Sequence, residues 1–568
     1  KGSAWERLWF LVLCGTFFLT LIWCYFWWEV HNDYNEFNWY MYNRNGYWSN
    51  CSVAILTLAF ISLIYTSLLL ILALSHIAVG QQMNIHWIHK VGLMVTLVST
   101  AMAVLVVWQL WREEWDVLLI SLQATAPFLH IVGLAGATVL AWLVAGQFAQ
   151  AEKLAFQSVL LLSYVGLLIA LYLVPLSIYS PCIMKKENLG QKPAIIGNRG
   201  APMLAPENTL MSFHKALDNQ VSGFHTDVQI SYDGVPFLMR DETLRRTTDV
   251  EEVFPGRARD TAAMFNWTDL ESLNAGRWFI QEDPYGMAET LSAADRAQAK
   301  NQSVCSLSAL LSLAAETNSS IMFSLRRPPS AHPHHSSWVN QTLRTVLLSP
   351  LPPGLVMWLP EEGRGLVEQA APQFLQVSAS ELNVSALSHR NIRAVSLRYT
   401  QLSPQEARQY ITGNISVNVF VVNVHWLYSL LWCVGVQSVT SDSCHTLGRA
   451  LSPGWVLPQE DYSGIWITSD IISVTVVLAI FILQNYHTIR WRLGNMKSYN
   501  PEQIMLSAAV RRSSRELNIM KEKLIFAEIN NGVSSCDDGS FCSDSGFDGY
   551  SNQGIGPLGQ REHKSLQN

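Results

Sequence analysis

Charged residues are scarce in this chain of 568 residues, since Asp, Glu, Lys and Arg together make up only 14% of it. Soluble domains usually carry about 25%, so the composition argues against a chain built only of soluble domains. Basic residues are also few: 38 Lys and Arg stand against 44 Asp and Glu, which gives a net charge of −6. No broad basic surface is evident, and this argues against nucleic acid as a partner.

The chain instead contains long runs of uncharged, mostly apolar residues. A helix needs about 20 apolar residues to cross a bilayer. Six runs meet this requirement, at 8–28, 52–75, 91–111, within 117–148, 154–178 and 464–484. The run at 117–148 is too long for one upright span, so we expect it to be tilted or broken near Pro127. The pattern predicts a membrane bundle of six helices, with the lipid bilayer as its partner.

The short connections differ in charge, which predicts their sidedness. Basic residues flank the cytosolic ends of the predicted spans: Lys1, Arg7, Lys90, Lys153, Arg490, Arg492 and Lys497. The alternate connections are acidic, with Glu29, Asp33, Glu36, Glu113, Glu114 and Asp116. We therefore expect five helices in 1–178, an extracellular domain in 179–463, the sixth helix at 464–484 and both termini in the cytosol.

Glycosylation motifs and cysteines fit the same topology. Asn-x-Ser/Thr acceptors, which glycosylation requires, occur at Asn50, Asn266, Asn301, Asn318, Asn340, Asn383 and Asn414. All seven lie in segments predicted to be outside, so we predict glycosylation there. Cys182, Cys305, Cys433 and Cys444 share the outer domain, where an oxidising compartment permits disulfides whose pairing the sequence leaves open.

The outer segment alternates short β-rich runs with helical stretches, which predicts parallel βα units. Eight candidate strands lie at 194–197, 223–230, 235–239, 321–325, 355–359, 394–397, 417–422 and 437–440. Eight strands in about 260 residues fit an α/β fold of the (β/α)8 TIM-barrel type. The stretch 249–305 exceeds a normal connection and is predicted to be an insertion.

Polar residues follow the predicted strands, at the end where barrels of this type place their active sites. They are Asn198, Arg199, Asp227, Arg240, Asp241, Arg326, Arg398, Asn423 and Asp442.

Four ordered motifs accompany these strand ends: Gly197-Asn198-Arg199-Gly200-Ala201-Pro202, Pro206-Glu207-Asn208-Thr209, His225-Thr226-Asp227-Val228 and Arg240-Asp241-Glu242-Thr243-Leu244-Arg245-Arg246-Thr247-Thr248. Their order and spacing resemble the signature of the glycerophosphodiester phosphodiesterases. The flanking spans extend the resemblance to the six-transmembrane subgroup of that family, which cleaves phosphodiesters such as those of glycosylphosphatidylinositol (GPI) anchors.

The resemblance implies a divalent cation, Ca²⁺ or Mg²⁺, because phosphodiester cleavage needs phosphate charge neutralised and carboxylates suit these hard ions. It implies that Glu207 and Asp227 are metal ligands and that Arg199 binds phosphate. Asp241 matches the acid that follows the family's second histidine. Asp241, Arg326 and the aromatic Trp426 join Arg199 as predicted substrate-binding residues, although Trp426 could equally pack in the core.

Four positions depart from the family pattern. Asn198 and Arg240 stand where the family has its catalytic acid–base histidines, while His225 and Ser324 stand where it has metal-binding glutamates. Asn cannot exchange a proton near neutral pH, and Arg is effectively always charged. The loss of one general acid or base typically costs about 10²–10⁴ in rate. A rewired site, in which His225 joins Glu207 and Asp227 as a metal ligand, remains an alternative.

Two functions follow as hypotheses. The first is a plasma-membrane, metal-dependent phosphodiesterase that acts on glycerophosphodiesters or GPI-anchor phosphodiesters. The second is a catalytically silent receptor that holds ligands in the same barrel mouth. The cytosolic segment 485–530 has the spacing of a basic amphipathic helix, and 531–568 has a disordered composition, so either could hold sites for cytosolic partners.

Overall fold

The computed structural model describes residues 4–29, 48–78, 85–151, 153–454 and 456–497. The predicted tail elements from 498 onward, and the acidic residues Asp33 and Glu36, lie outside these ranges. Residues up to Thr488 form one compact unit, and a second unit begins at Ile489.

Within the described ranges, six helices are long and apolar enough to cross a bilayer, as the uncharged runs predict. They are α1 (Ala4–Glu29), α2 (Trp48–Ala78), α3 (Trp87–Leu110), α4 (Glu114–Gln150), α5 (Leu154–Leu173) and α18 (Gln459–Lys497). The segment 179–463 between α5 and α18 is called the outer domain after its predicted location. These helices indicate a multi-pass membrane protein. Helix α4 runs unbroken through Pro127, so the predicted alternative of a break there is wrong.

Helix α4 is shared by the membrane bundle and the outer domain. Its 37 residues span about 55 Å, well beyond a hydrocarbon core of about 30 Å. Val117, near its first turn, is 2% exposed and belongs to the same hydrophobic cluster as Phe224 and Val419 of the outer domain. One rigid helix therefore fixes the outer domain on the bundle.

The outer domain is a closed barrel of eight parallel strands, which confirms the predicted TIM-like architecture. The barrel strands are β1 (Ala194–Asn198), β2 (Gly223–Ile230), β4 (Ser320–Leu325), β5 (Val356–Trp358), β6 (Leu375–Ser378), β7 (Ala394–Arg398), β8 (Ser416–Phe420) and β9 (Ser438–Ser441). Strand β1 pairs with both β2 and β9, and these pairings close the ring.

Two predicted strand assignments need correction. The segment 235–239 forms β3 (Pro236–Leu238), which pairs antiparallel with β2 as a hairpin and is not a barrel strand. The eighth barrel strand is β6, which the sequence pattern missed because two of its four residues, Gln376 and Ser378, are polar although buried. Alternation of apolar residues does not distinguish a hairpin strand from a barrel strand.

Helices surround the barrel and fill its connections. They are α6 (Leu210–Asp218), α7 (Val250–Val253), α8 (Trp267–Ser272), α9 (Arg277–Glu282), α10 (Ala293–Lys300), α11 (Leu307–Glu316), α12 (Trp338–Leu348), α13 (Arg364–Ala370), α14 (Val384–His389), α15 (Pro404–Thr412), α16 (His425–Val434) and α17 (Cys444–Gly448). Helices α7 to α10 occupy the predicted insertion, and part of it forms a separate small core around Phe265.

A disulfide joins Cys182, which follows α5, to Cys433 in helix α16. Cys305 and Cys444 are buried and reduced. The bond closes a loop of 251 residues and fastens the start of the outer domain to a helix of the barrel wall.

Candidate functional site

A cavity of about 590 Å³ opens at the carboxyl ends of the barrel strands. Its polar lining comes mainly from strand ends: Asn198, Arg199, His225, Asp227, Arg240, Ser324, Ser396, Arg398, Thr440 and Asp442, with Tyr285, Gln401 and Glu113 from connections. Parallel strands place their carboxyl ends on one edge of the barrel, and this explains why residues far apart in sequence meet here.

A backbone turn after β1 directs Arg199 into the site. Arg199 and Gly200 have positive φ angles of 54° and 89°. A side chain at Gly200 would meet Ser212 Oγ at 2.4 Å, so the close approach to helix α6 requires glycine. The Arg199 N–H donates to the carbonyl of His225 at 2.6 Å, which ties the turn to β2. The guanidinium is thereby held between two carboxylates.

Glu207 is buried and is bound by two arginines. Arg246 donates from Nη2 to Glu207 Oε1 at 2.7 Å and from Nη1 to Oε2 at 3.0 Å, and Arg199 Nη1 donates to the same Oε2 at 3.3 Å. Burial alone would raise the pKa of Glu207, but the charges of Arg246 and Arg199 lower it to about 2. Glu207 is therefore ionised and fully engaged within the protein.

Arg246 is the residue whose role the sequence analysis missed. Besides Glu207, it binds Asp241, with Nε to Oδ2 at 2.6 Å and Nη2 to Oδ1 at 3.0 Å. Its guanidinium also stacks over the Trp278 ring at 5.5 Å. One buried arginine thus binds two carboxylates, and Asp241, which is engaged in this pairing, does not line the cavity. The only sequence signal was the place of Arg246 inside the fourth motif.

Asp227 is paired with arginines on both sides. Arg240 Nη1 donates to Asp227 Oδ1 at 3.1 Å. Arg199 Nε lies 3.7 Å from Asp227 Oδ2, an ion pair without a hydrogen bond. Within the described part of the chain, that buried Oδ2 has no hydrogen-bond donor. The Arg240 side chain is 47% exposed, so it reaches the site from solvent.

Asn198 is held between two partners. Its Nδ2 donates to Asp442 Oδ1 at 2.7 Å, and its Oδ1 lies 3.0 Å from His225 Nδ1. Because an amide oxygen can only accept, Nδ1 of His225 carries the proton in this contact. Asn423 Nδ2 donates to the other Asp442 oxygen at 3.0 Å. Burial raises the pKa of Asp442, an effect that the charge of Arg199 partly opposes.

His225 is neutral at physiological pH. Burial lowers its pKa to about 4; the charge of Asp227 raises it, while those of Arg199 and Arg240 lower it further. Its Nε2 lies 3.3 Å from Ser324 Oγ on the neighbouring strand β4, where Ser324 is in register with Asp227. With both ring nitrogens in contacts, His225 is a positioned neutral imidazole.

The structure brings together six of the predicted site residues as cavity lining: Asn198, Arg199, His225, Asp227, Arg240 and Ser324. The other predicted substrate-binding residues, Asp241, Arg326 and Trp426, do not line this cavity, and their role in substrate binding stays a prediction. Asp241 turns toward Arg246, Arg326 is exposed at the end of β4, and the Trp426 side chain hydrogen-bonds Glu29 of helix α1.

The donors do not fit a divalent cation as they are arranged. Both Glu207 oxygens accept hydrogen bonds from guanidinium groups, and Asp227 lies between two further guanidinium contacts. Among the described residues, no three His, Cys, Asp or Glu side chains form a group that could hold a metal. The rewired set of His225, Glu207 and Asp227 therefore gains no support. The metal-ligand assignment stays a prediction.

Six of the seven predicted glycosylation sites lie in the described outer domain. Asn266, Asn301, Asn318, Asn340, Asn383 and Asn414 are all exposed. The side chain of Asn50 lies outside the described part of the chain. Exposure is what glycosylation requires, so the prediction stands untested.

Comparison with known proteins bears directly on this site. The glycerophosphoryl diester phosphodiesterase family matches residues 199–348. Glycerophosphodiester phosphodiesterase domain-containing protein 5 of Gallus gallus is 55% identical over 566 residues, which cover 100% of this chain and 94% of the relative. Glycerophosphoinositol inositolphosphodiesterase GDPD2 of Mus musculus is 43% identical over 495 residues, covering 87% of this chain and 91% of the relative.

A solved phosphodiesterase from Oleispira antarctica, in complex with sn-glycerol-3-phosphate, is 18% identical with a TM-score of 0.37. The match covers 45% of this chain and 95% of the Oleispira antarctica chain. The identity and coverage of the full-length relatives are what establish kinship. This chain belongs to the glycerophosphodiester phosphodiesterase family.

Proposed function

We propose that this chain is a membrane receptor that binds glycerophosphodiester headgroups in the barrel mouth without hydrolysing them. The observation that carries the proposal is the contact of Arg240 Nη1 with Asp227 Oδ1 at 3.1 Å. This contact places a fixed positive charge beside a carboxylate that the family resemblance assigns to a metal ion. A guanidinium can bind phosphate oxygens through two parallel hydrogen bonds.

The same geometry argues against acid–base catalysis. Asn198 has no titratable proton, and the arginine side chain is not an acid–base catalyst of the histidine type, because a guanidinium is effectively always charged in proteins. His225, the imidazole that lines the cavity, is neutral and engaged at both ring nitrogens. A general acid or base needs a pKa near the working pH and access to the reacting proton. These three residues bind and orient a ligand but do not transfer its protons.

The ligand class we propose is a phosphodiester with a polyol such as glycerol or inositol. The arginines Arg199, Arg240 and Arg398 provide positive charge for the phosphate. Hydroxyl and amide groups of Ser324, Ser396, Thr440 and Gln401 provide hydrogen bonds for sugar-like hydroxyls. Phosphodiesters of GPI anchors carry the same inositol-phosphate chemistry and are included in the proposal.

A second candidate is the metal-dependent phosphodiesterase of the cell surface. Asp227 Oδ2 favours it, since a buried carboxylate oxygen without a hydrogen-bond donor in the described structure is free to take another ligand. Ca²⁺ or Mg²⁺ binding there requires Arg240 to leave Asp227, which its partial exposure permits.

Sidedness is part of the proposal. We place the barrel on the extracellular face of the plasma membrane, with both termini cytosolic. The Cys182–Cys433 disulfide supports an oxidising compartment, because disulfides are rare in the cytosol. Glycosidase treatment should lower the mass of the chain stepwise, and this would support the topology. The loss of mass should disappear when the six exposed acceptors are changed from Asn to Gln. This topology would be contradicted if the barrel carried no glycans and was protected from protease added outside intact cells.

The test measures binding and hydrolysis separately. Calorimetry of the purified full chain with glycerophosphoinositol in EDTA should show binding, which Arg240→Gln weakens about tenfold or more, since hydrogen bonds to charged groups contribute about 1.5–3 kcal/mol. Arg245→Gln is the matched control, because Arg245 is exposed and pairs with Glu251 outside the cavity. Binding that needs a divalent cation would contradict the proposal.

Hydrolysis is measured as release of glycerol, inositol or their phosphates in the presence of Mg²⁺ or Ca²⁺. We expect no release above background from the unaltered chain. Metal-dependent release by that chain establishes the second candidate instead. Asn198→His/Arg240→His is assayed beside it, and release by this variant alone assigns the lost activity to these two positions.

A further inference from the structure

A second cavity of about 330 Å³ lies where helix α4 meets the barrel. We propose that it holds the hydrocarbon chain of a lipid from the leaflet on the barrel side. The preferred ligand is then a phosphodiester that still carries a hydrocarbon chain. This inference rests on the proposed function, because it places the phosphodiester of the same molecule in the barrel mouth.

The position of the cavity in the membrane supports a lipid occupant. It is lined by Asp116, Leu119, Ile120 and Gln123, which lie in the first three turns of α4. Because α4 is about 25 Å longer than the hydrocarbon core, this end of the helix reaches the headgroup level. A cavity at this level has lipid as its most abundant apolar neighbour.

Leucine and isoleucine side chains of two helices form the apolar part of its walls, and Asp116, Thr400, Ser403 and Glu406 add polar groups. Leu119 and Ile120 of α4 face Leu427, Leu430 and Leu431 of helix α16. The volume lies within the range of about 300–1,000 Å³ that is typical of ligand sites. In the described structure, the buried Oε1 of Gln123 has no hydrogen-bond donor, and it lines the same cavity. A polar headgroup or glycerol hydroxyl at the rim would supply that donor.

The second cavity adjoins the barrel mouth. Gln401 lines both cavities. Beside it, Arg398 Nη1 donates to Glu113 Oε2 at 3.2 Å, a contact between the end of β7 and the residue that precedes α4. A headgroup at Arg398 and a chain along α4 can thus belong to one molecule. A water-soluble headgroup would leave the apolar part of the second cavity, between α4 and α16, empty.

The experiment measures affinity against chain length. Glycerophosphoalkanols from ethyl to octyl, below their micelle concentrations, are titrated into the full chain in nanodiscs, with empty nanodiscs as the partition blank. Affinity should rise about three- to fourfold per added methylene until the cavity is filled. Leu119→Trp, which fills the cavity from an exposed helix face, should flatten this slope. Leu129→Trp is the matched control, because Leu129 is an exposed leucine of the same helix that does not line the cavity.

Failure of the inference can be distinguished from failure of the proposed function. Binding of the ethyl compound with no gain for longer chains overturns the chain site and leaves headgroup binding intact. Absence of binding by every member overturns the proposed function. A photoactivatable fatty alcohol, which has no phosphate, tests the chain site alone. Labelling of 116–123 or 427–434 in the Leu129→Trp variant but not in Leu119→Trp supports it, and equal labelling in both contradicts it.

Discussion

Arg240, which follows the hairpin strand β3, and Asp227 of strand β2 form an ion pair of 3.1 Å that lines the barrel mouth. The Arg240 side chain is half exposed, whereas the Asp227 side chain is almost fully buried. The charges of this pair decide whether an anion or a cation is the preferred occupant. The phosphate of a ligand competes with Asp227 for the same guanidinium.

Asp227→Asn therefore gives opposite results for the two candidate functions. Removal of this negative charge releases Arg240 and reduces repulsion, so phosphodiester affinity should rise about tenfold, from roughly 1.4 kcal/mol of electrostatic free energy. A metal-dependent site would instead lose affinity or activity. Calorimetry with glycerophosphoinositol in EDTA measures the effect. Asp260→Asn, which removes an acid from a surface pair with Arg257, is the control.

Glu207 should matter for stability more than for ligand contact. Glu207→Gln leaves Arg246 and Arg199 without their shared buried carboxylate. Loss of one partner from a buried ion pair costs about 3–5 kcal/mol, so the free energy of unfolding should fall by this amount. Thermal unfolding of the purified chain measures the loss. Glu251→Gln, which breaks an exposed pair, should change the melting temperature little. An unchanged Glu207→Gln protein would show that the arginines find other partners.

His225 should make stability depend on pH. Its folded-state pKa of about 4 lies below its ordinary value of 6.5, so between these values the unfolded chain binds a proton that the folded chain excludes. The free energy of unfolding should therefore fall as pH decreases from 6.5 toward 4, by on the order of 2–3 kcal/mol. Glu207 contributes no loss in most of this window, since its pKa is about 2.

The measurement compares melting temperatures of the unaltered chain and of His225→Gln between pH 4.5 and 7. The melting temperature of His225→Gln, relative to that of the unaltered chain, should increase as pH falls. Parallel pH profiles would show that His225 does not take part in the dependence.

The Cys182–Cys433 disulfide should stabilise the outer domain. Removal of a native disulfide typically costs about 2–5 kcal/mol, and this one closes a loop of 251 residues. A reducing agent should lower the melting temperature of the unaltered chain. The double variant Cys182→Ser/Cys433→Ser should have the lower melting temperature even without reductant, and reductant should not change it further. Labelling of Cys182 by a thiol reagent before reduction would contradict the pairing.

The sequence by itself determined the membrane bundle and the order of the barrel. Uncharged runs predicted six spanning helices because helix length and local apolarity decide insertion into a bilayer. Motif order placed Asn198, Asp227 and Arg240 at strand ends, and the structure brings these three side chains into one cavity. Such features depend on residues close together in the chain.

Only the tertiary structure decided which partners these residues take. The hairpin β3 and the barrel strand β6 differ in hydrogen-bonding partners, which alternation along one strand does not specify. Arg246 binds Glu207 across 39 positions, and Glu113 reaches Arg398 across 285. Ring closure and the packing of α4 on the barrel create these contacts. A charge pattern in sequence predicts that a site exists, but spatial pairing decides whether its carboxylates are left for a metal or are already bound by arginine.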